Sequence, residues 1–305
     1  MAGSLFNFGA KKTEVPERKP STPVSTFNST EMTNDEFNKL RNIIYDLSGI
    51  YFTDSKKYLL ESRISKRIAA NNMKSFNEYI NYLQSPISRK ELGDLFEAIT
   101  INETYFFRVP QQFEVLEHVI IPELIKLKSG QPNPTIRIWS AASSSGEEAY
   151  TIALIILERL KPIYPYVNFQ VIGTDINNAV IDQARKAVYK EYAIRNIPEN
   201  LLKKYFLSQD GLYILKDDVK RLVRFSNLNL YDSSAVRAIP QCDVIFCANV
   251  LIYFDIPSKQ KVVSDLHSVL TKGGYLFIGY SESLHGISKA FKLVHLPKAM
   301  AYQKD

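Results

Sequence analysis

Residues 135–148 read Thr135-Ile136-Arg137-Ile138-Trp139-Ser140-Ala141-Ala142-Ser143-Ser144-Ser145-Gly146-Glu147-Glu148. Ile136 to Trp139 spells a short apolar strand, a run of small residues follows, and from Glu147 the apolar spacing becomes helical as far as Leu160. A strand that turns into a helix through small side chains lets the backbone approach a ligand, and the first amides of the helix remain free donors. Only Gly146 in this turn is a glycine, so it departs from the usual nucleotide-binding glycine pattern.

Downstream the alternation continues, with strand Phe169 to Gly173, helix Asn178 to Ala187, strand Asp243 to Cys247, helix Ser258 to Leu270 and strand Tyr275 to Ile278. This order predicts a parallel sheet with right-handed crossovers, which binds ligands at the carboxyl ends of its strands. Residues 135–305 are therefore read as a Rossmann-like α/β domain. Gly211-Leu212-Tyr213-Ile214-Leu215 and Arg221-Leu222-Val223-Arg224-Phe225 flank the charged turn Lys216-Asp217-Asp218. They predict a small antiparallel β-subdomain inserted near 205–225.

Upstream, residues 32–100 predict a small all-helical domain. Thr33 or Asn34 can cap a helix burying Phe37, Leu40, Ile44 and Leu47, and further helices are expected over Tyr58 to Ile68, Phe76 to Leu83 and Lys90 to Thr100. Residues 101–134 form a linker and helix. Residues 1–31, broken by Pro16, Pro20 and Pro23, are expected to be a disordered tail, with Ser4-Leu5-Phe6-Asn7-Phe8-Gly9 as an alternative short docking motif.

At 305 residues, 45% of them hydrophobic, the chain can bury cores for two domains. No apolar run approaches the about 20 residues of a membrane span, and no secretory apolar core opens the chain. A cytoplasmic protein without membrane insertion is expected. Cys242 and Cys247 lack the further ligands of a zinc site and read as two reduced thiols, so no metal is assigned. The net charge of +6 admits a nucleic-acid partner. Much of the surplus is local, however: Lys56, Lys57, Arg63, Lys66, Arg67 and Lys74 are opposed in sequence only by Glu61, which suggests an acidic partner surface.

Four further fragments occur in order: Asn102-Glu103-Thr104-Tyr105-Phe106-Phe107-Arg108, Gly173-Thr174-Asp175-Ile176-Asn177, Ile245-Phe246-Cys247-Ala248-Asn249-Val250-Leu251-Ile252-Tyr253-Phe254-Asp255, and Gly279-Tyr280-Ser281-Glu282 after Gly273-Gly274. With the turn at 139–148, they resemble the CheR family, the S-adenosylmethionine-dependent protein-glutamate methyltransferases of bacterial chemotaxis. The resemblance runs from about Met32 to the C-terminus and implies S-adenosylmethionine as the cofactor.

By this resemblance Asn102, Thr104 and Arg108 match the family's Asn-x-Thr-x-Phe-Phe-Arg motif, whose polar side chains contact the cofactor and whose arginine lies near the reacting centre. Glu148 matches a ligand-binding glutamate, Asn229 and Leu230 the adenine-contacting pair, Asn249 a further cofactor contact, and Tyr253 the tyrosine beside the transferred methyl. Asp175, at a strand end, suits the ribose hydroxyls both by resemblance and by analogy with dinucleotide folds, with capping of the next helix as the alternative. Ala248 stands in the cofactor segment where the family usually has arginine. Ala149 and Tyr280 replace the usual proline and histidine. Arg108 can hold a carboxylate in bidentate geometry, or make an interdomain salt bridge.

The family uses its helical domain for substrate recognition, which assigns Lys56, Arg63, Lys66 and Arg67 to the acidic cytoplasmic helices of methyl-accepting chemoreceptors. Arg63, Lys66 and Arg67 lie three and four residues apart and are expected on one helical face. The β-subdomain docks a receptor peptide in some members. Its connection here is short and lacks a glycine-rich extension, so no tethering peptide is expected.

The expected chemistry is in-line displacement of the sulfonium methyl by a glutamate carboxylate. With a pKa near ~4.3 that carboxylate is already ionised, so no general base is needed, and His118, His267, His285 and His295 are given no role. A monomer is expected. Two other classes stay open: a cofactor-binding regulatory protein, or enzyme of the same fold with a different protein substrate, for which Ala248 speaks; and a nucleic-acid methyltransferase, for which only the charge speaks. The Asn or Asp-Pro-Pro-aromatic segment usual in the last class does not occur.

Overall fold

The structure is a computed structural model that describes residues 31–305. The expected tail up to residue 30, with its Ser4–Gly9 motif, lies outside the described residues.

Four helices open the described chain: α1 (Asn34–Ser48), α2 (Lys57–Ala70), α3 (Phe76–Leu83) and α4 (Arg89–Ile99). Thr33 starts α1 through a capping box, its hydroxyl accepting from the Glu36 amide at 3.2 Å while the Glu36 carboxylate accepts from the Thr33 amide at 2.9 Å. Phe37, Leu40 and Ile44 of α1, Leu60, Ile64 and Ile68 of α2, Phe76 and Ile80 of α3, and Leu95 and Ile99 of α4 form one buried cluster. Gly49 ends α1 at φ 71°, and a Cβ there would lie 2.5 Å from the ring of Tyr231. Glycine is required at this point both for the left-handed turn and for the close approach of the two domains.

The second domain comprises strands β1 (Thr135–Ser140), β2 (Asn168–Asp175), β3 (Val188–Tyr189), β4 (Phe206–Gln209), β5 (Leu212–Leu215), β6 (Val223–Asn227), β7 (Cys242–Cys247), β8 (Leu270–Ile278), β9 (Phe291–Leu296) and β10 (Ala299–Lys304). Seven of them form one sheet in the order β6-β2-β1-β7-β8-β10-β9, parallel from β6 to β8. β10 is antiparallel to both its neighbours. Central strands alternate between two cores: Ile138, Val244 and Phe246 point to one face, Trp139, Ile245 and Cys247 to the other. The first face is covered by residues 110–127 and the helix Glu147–Ile155, the second by the helix Ile256–Val269. Cys242 and Cys247 are free and buried at the two ends of β7.

Two expectations are corrected. The strand over 221–225 does not pair with 211–215: β6 joins the main sheet beside β2, with Phe225 opposite Gly173. The bare Gly173 makes room for it, since a Cβ there would sit 2.4 Å from the Phe225 ring. β5 instead pairs with β4 and β3 as a separate antiparallel sheet. Its hairpin turns at Asp210 and Gly211, at φ 51° and 74°, the backbone of an Asp-Gly two-residue turn. Lys216-Asp217-Asp218 is not that turn but leads into a short helix, Asp217–Lys220, with Val219 buried beneath it. The sheet is also mixed, because the C-terminal hairpin β9-β10 extends it beyond β8.

The domains are joined at the α1–α2 connection. The Tyr51 amide donates to the Tyr253 carbonyl at 2.9 Å, the Tyr45 hydroxyl to Asp255 at 3.2 Å, and the Asn229 side-chain amide to the Leu47 carbonyl at 2.7 Å.

Candidate active site

At this seam, outside the carboxyl ends of β1, β2, β6 and β7, lies a cavity of about 290 Å³ whose wall is shared by both domains. Asn102, Thr104, Arg108, Glu148, Asp175, Asn229, Leu230, Ala248, Asn249 and Tyr253 all line it, as do Lys56 and Arg63. Lys66 and Arg67 do not.

Asp175 ends β2 and is buried. One carboxylate oxygen accepts from the Ser144 amide and the other from the Asn177 amide, both at 3.0 Å. Burial nevertheless raises its pKa, against the pull of these backbone bonds. Asp175 is not the cap of the next helix: Asn177 fills that position, its side chain accepting from the Val180 amide at 3.2 Å.

Glu148 and Glu147 begin one helix and point to different places. Glu148 reaches the cavity, where the Ser140 hydroxyl donates to it at 2.7 Å. Burial pushes its pKa up to about 7, opposed by the Ser140 bond and by the positive charge of Arg108. A carboxylate in this setting is stabilised by a cation arriving in the cavity. Glu147 turns inward instead, accepts the Ser145 hydroxyl on both oxygens at 3.0 and 2.8 Å, and is likewise pushed up to about 7 by burial. It is structural.

Arg108 sits between Phe107 and Val109, whose φ values of 54° and 58° are both left-handed. For side chains of this size such backbone costs roughly 1–3 kcal/mol per residue and persists only where the surroundings enforce it. They do: the Phe106 ring is fully buried, its amide donates to the Ala193 carbonyl at 2.9 Å, and the Phe107 amide donates to the Thr151 hydroxyl at 3.1 Å. Arg108 donates in turn to the Glu103 carbonyl at 2.8 Å. The Asn102 carbonyl accepts from the Ser144 hydroxyl at 3.2 Å, so this segment is bonded to the turn after β1.

Asn249 also has a left-handed backbone, at φ 61°. Glu282 holds it: one carboxylate oxygen accepts from the Asn249 amide at 2.9 Å and the Gly279 amide at 2.6 Å, and the other from the Ile252 amide at 3.1 Å. This carboxylate shapes the loop carrying Ala248, Asn249 and Tyr253. The fragment Gly279 to Glu282 was legible, but not this use of it. Tyr253 is half-buried; burial raises its pKa, opposed by the nearby charges of Arg108 and Arg63. The Asn229 side chain is already committed, donating to Leu47 and accepting from the Tyr231 amide at 3.0 Å. The Asn229 backbone carbonyl accepts from the Asp232 amide at 3.0 Å.

The basic residues of α2 do not share one open face. Arg67 is folded into the helical domain, its Nε and Nη2 bonded to the two oxygens of Glu91 at 2.8 and 2.7 Å and Nη2 also to Asp94 at 2.7 Å. Glu91, buried, accepts the Tyr79 hydroxyl at 2.7 Å as well. Arg63 turns to the cavity and donates to the Ile99 carbonyl at the end of α4. Lys66 is exposed on the outside. The physical reason is that α4 supplies the acids missing from the sequence around α2.

Residues 35–100 match the family described as CheR methyltransferase, all-alpha domain, and residues 102–300 match CheR methyltransferase, SAM binding domain. The chain is 37% identical over 278 residues to "Chemotaxis protein methyltransferase 2" of Vibrio cholerae, covering 91% of this chain and 95% of that protein. It is 38% identical over 270 residues to "Chemotaxis protein methyltransferase" of Borreliella burgdorferi, covering 87% and 94%. To "Chemotaxis protein methyltransferase Cher2" of Pseudomonas putida it is 33% identical over 274 residues, covering 88% and 98%.

Proposed function

The chain belongs to the CheR methyltransferase family, and from that premise we propose that it methylates the side-chain carboxylates of glutamates in chemoreceptor cytoplasmic domains, using S-adenosylmethionine. One observation carries the reading: Glu148, Asp175, Arg108 and Tyr253 meet in a single cavity closed by both domains.

The residues fit the cofactor. Glu148 is a carboxylate facing the cavity with a neutral hydroxyl as its bonded partner, suited to the positive amino-acid end of the ligand. Asp175 offers acceptor capacity to ribose hydroxyls, and Asn102, Thr104, Leu230, Ala248 and Asn249 complete the wall, with Asn229 at the adenine. S-adenosylmethionine supplies an electrophilic methyl group on a sulfonium.

The chain's own part is alignment. Arg108 and Arg63 are the guanidinium groups lining the cavity, and Arg108 is the one fixed beside Tyr253 by strained backbone. Arg108 orients the incoming glutamate carboxylate, which is ionised at neutral pH, and Tyr253 borders the transfer path. Ala248 leaves the wall uncharged at its position, so Arg108 does this alone. Catalysis then rests on proximity and on desolvating two opposite charges. Arg63 and Lys56 at the rim, with Lys66 outside, attract the acidic receptor helix, whereas Arg67 shapes the domain that presents them.

Among the described residues no helix is long and apolar enough to cross a membrane. We place the protein in the cytoplasm, as a monomer without a nucleic-acid substrate. Purified protein, methyl-labelled S-adenosylmethionine and membranes from its own source test the reading. Label on receptor-sized bands that leaves as methanol in alkali supports it; cofactor binding with no such label rejects it.

A further inference from the structure

Next to Arg108, on the solvent side, stands a cluster to which the reaction has assigned nothing. The segment Glu191–Ile194, followed by Arg195, lies between β3 and β4 and is fastened to the Arg108 segment by the bond from the Phe106 amide to the Ala193 carbonyl. The Arg195 guanidinium lies 3.5 Å from the ring centroid of Tyr105 and 3.8 Å from that of Tyr192, covering both rings. The Tyr192 hydroxyl donates to the Glu103 carboxylate at 2.8 Å. The carbonyl of the same Glu103 accepts from Arg108 Nη1 at 2.8 Å.

Glu103 is thus attached to Arg108 by its backbone while its carboxylate is held outward by Tyr192. Among the described residues Arg108 forms no ion pair with a carboxylate, although Glu148 in the same cavity feels its charge. A free Glu103 side chain is the natural competitor for that guanidinium, because a half-buried arginine without an ion pair makes its strongest hydrogen bonds to a carboxylate in range. Both charges already act on Tyr253, so they share one neighbourhood.

We infer that Tyr192 and Arg195 are positioning residues that hold the Glu103 carboxylate off Arg108, keeping the guanidinium open for the glutamate of the substrate. The inference rests on the reading that Arg108 receives that glutamate. It gives the segment after β3 a part in the reaction that needs no receptor contact: it supplies the hydroxyl, and Arg195 stacks to fix the ring that carries it.

Tyr192→Phe keeps the ring and its stacking and removes only the hydroxyl, at an exposed position where folding is not at stake. It should lower kcat/KM for receptor methylation by about three- to tenfold, the range of one lost hydrogen bond, with cofactor Kd held within about twofold. Adding Glu103→Gln removes the competing charge and should restore the rate. An unchanged rate in Tyr192→Phe, or a loss that persists in the double variant, overturns the inference. The Arg108 Nε–H resonance of the protein alone reads the same event without cofactor or receptor: it should move in Tyr192→Phe and return in the double variant, and a resonance unmoved by Tyr192→Phe overturns the inference as well. Wild-type protein that forms no methyl ester would overturn the receptor reading alone, since the resonance still decides this one.

Discussion

Two charged surfaces border the same cavity and are built on opposite principles. On the sheet side Asp175 and Glu148 are held by donors fixed just past the ends of β1 and β2 or at the end of β1 itself, the Ser144 and Asn177 amides and the Ser140 hydroxyl. On the helical side Lys56, Arg63, Lys66 and Arg67 are long cations from one short stretch, and they separate: two line the cavity, one stays outside, and one is captured by Glu91 and Asp94. A short carboxylate gripped by backbone amides has one place to be. A long cation goes to the nearest acid, wherever the fold brings it. Position in a motif therefore predicts placement on the first surface and fails on the second.

The largest effect should come from testing whether Arg67 is structural. Its removal leaves Glu91 buried beneath α2 and α3 with no cation, and breaking a buried pair by deleting one partner costs about 3–5 kcal/mol. Arg67→Ala should lose that much in denaturant unfolding. The Glu91 pKa reflects the pairing too: burial raises it, but the bonds from Arg67, Tyr79 and Asn71 outweigh burial and hold it below the ordinary 4.5. Because the folded value is depressed, this stability is present above the unfolded pKa and fades as pH falls through the folded one. An Arg67→Ala protein as stable as wild type at neutral pH would return Arg67 to the receptor surface.

Next is Glu147, the buried neighbour of Glu148. Its folded pKa of about 7 lies above the ordinary 4.5, so its contribution favours folding below pH 4.5 and is lost as pH rises through about 7. Glu147→Gln keeps a side-chain oxygen for Ser145 and removes the ionisation. The variant should be more stable than wild type by about 2–3 kcal/mol near about pH 8 and indistinguishable near about pH 4. A difference independent of pH would mean that Glu147 does not titrate across this range.

The parts of the molecule that are legible in the sequence are local patterns. The strand-turn-helix at 135–148 and the helical spacing of Phe37, Leu40 and Ile44 each depend on a few neighbouring residues. What escaped depends on partners far along the chain. Local pattern does not show which sheet β6 joins, because its place is set by Gly173, fifty-two residues earlier, opposite Phe225. The Asp210-Gly211 turn is the exception: Asp-Gly is a local hairpin signal, and the more charged Lys216-Asp217-Asp218 is not a turn but opens a short helix. The role of Glu282 is not legible either, since no sequence spacing says that a carboxylate will collect the amides of Asn249 and Ile252, about thirty residues away.

Asp175→Ala probes the sheet surface itself. Losing a charged acceptor should weaken S-adenosylmethionine binding by about 1.5–3 kcal/mol, at least tenfold in Kd by calorimetry. Loss of the Ser144 and Asn177 bonds belongs to the same effect, because those amides shape the turn that the ligand meets. An unchanged Kd would break the comparison at its stronger end.

The smallest effect, and the sharpest contrast with Arg67, is expected of Arg63. The two are one helical turn apart on α2, yet Arg63 has a carbonyl rather than a buried carboxylate as its partner, and its pKa is lowered by burial instead of raised. Removing it uncovers the Ile99 carbonyl at the end of α4, which water can reach from the cavity, so Arg63→Ala should cost less than about 1 kcal/mol of stability. Cofactor affinity should stay within about twofold, since S-adenosylmethionine is itself cationic and gains nothing from a second guanidinium. The KM for receptor should rise. A stability loss equal to that of Arg67→Ala would show that both arginines hold the helical domain together, and the division of this face into a structural and a recognising half would fall with it.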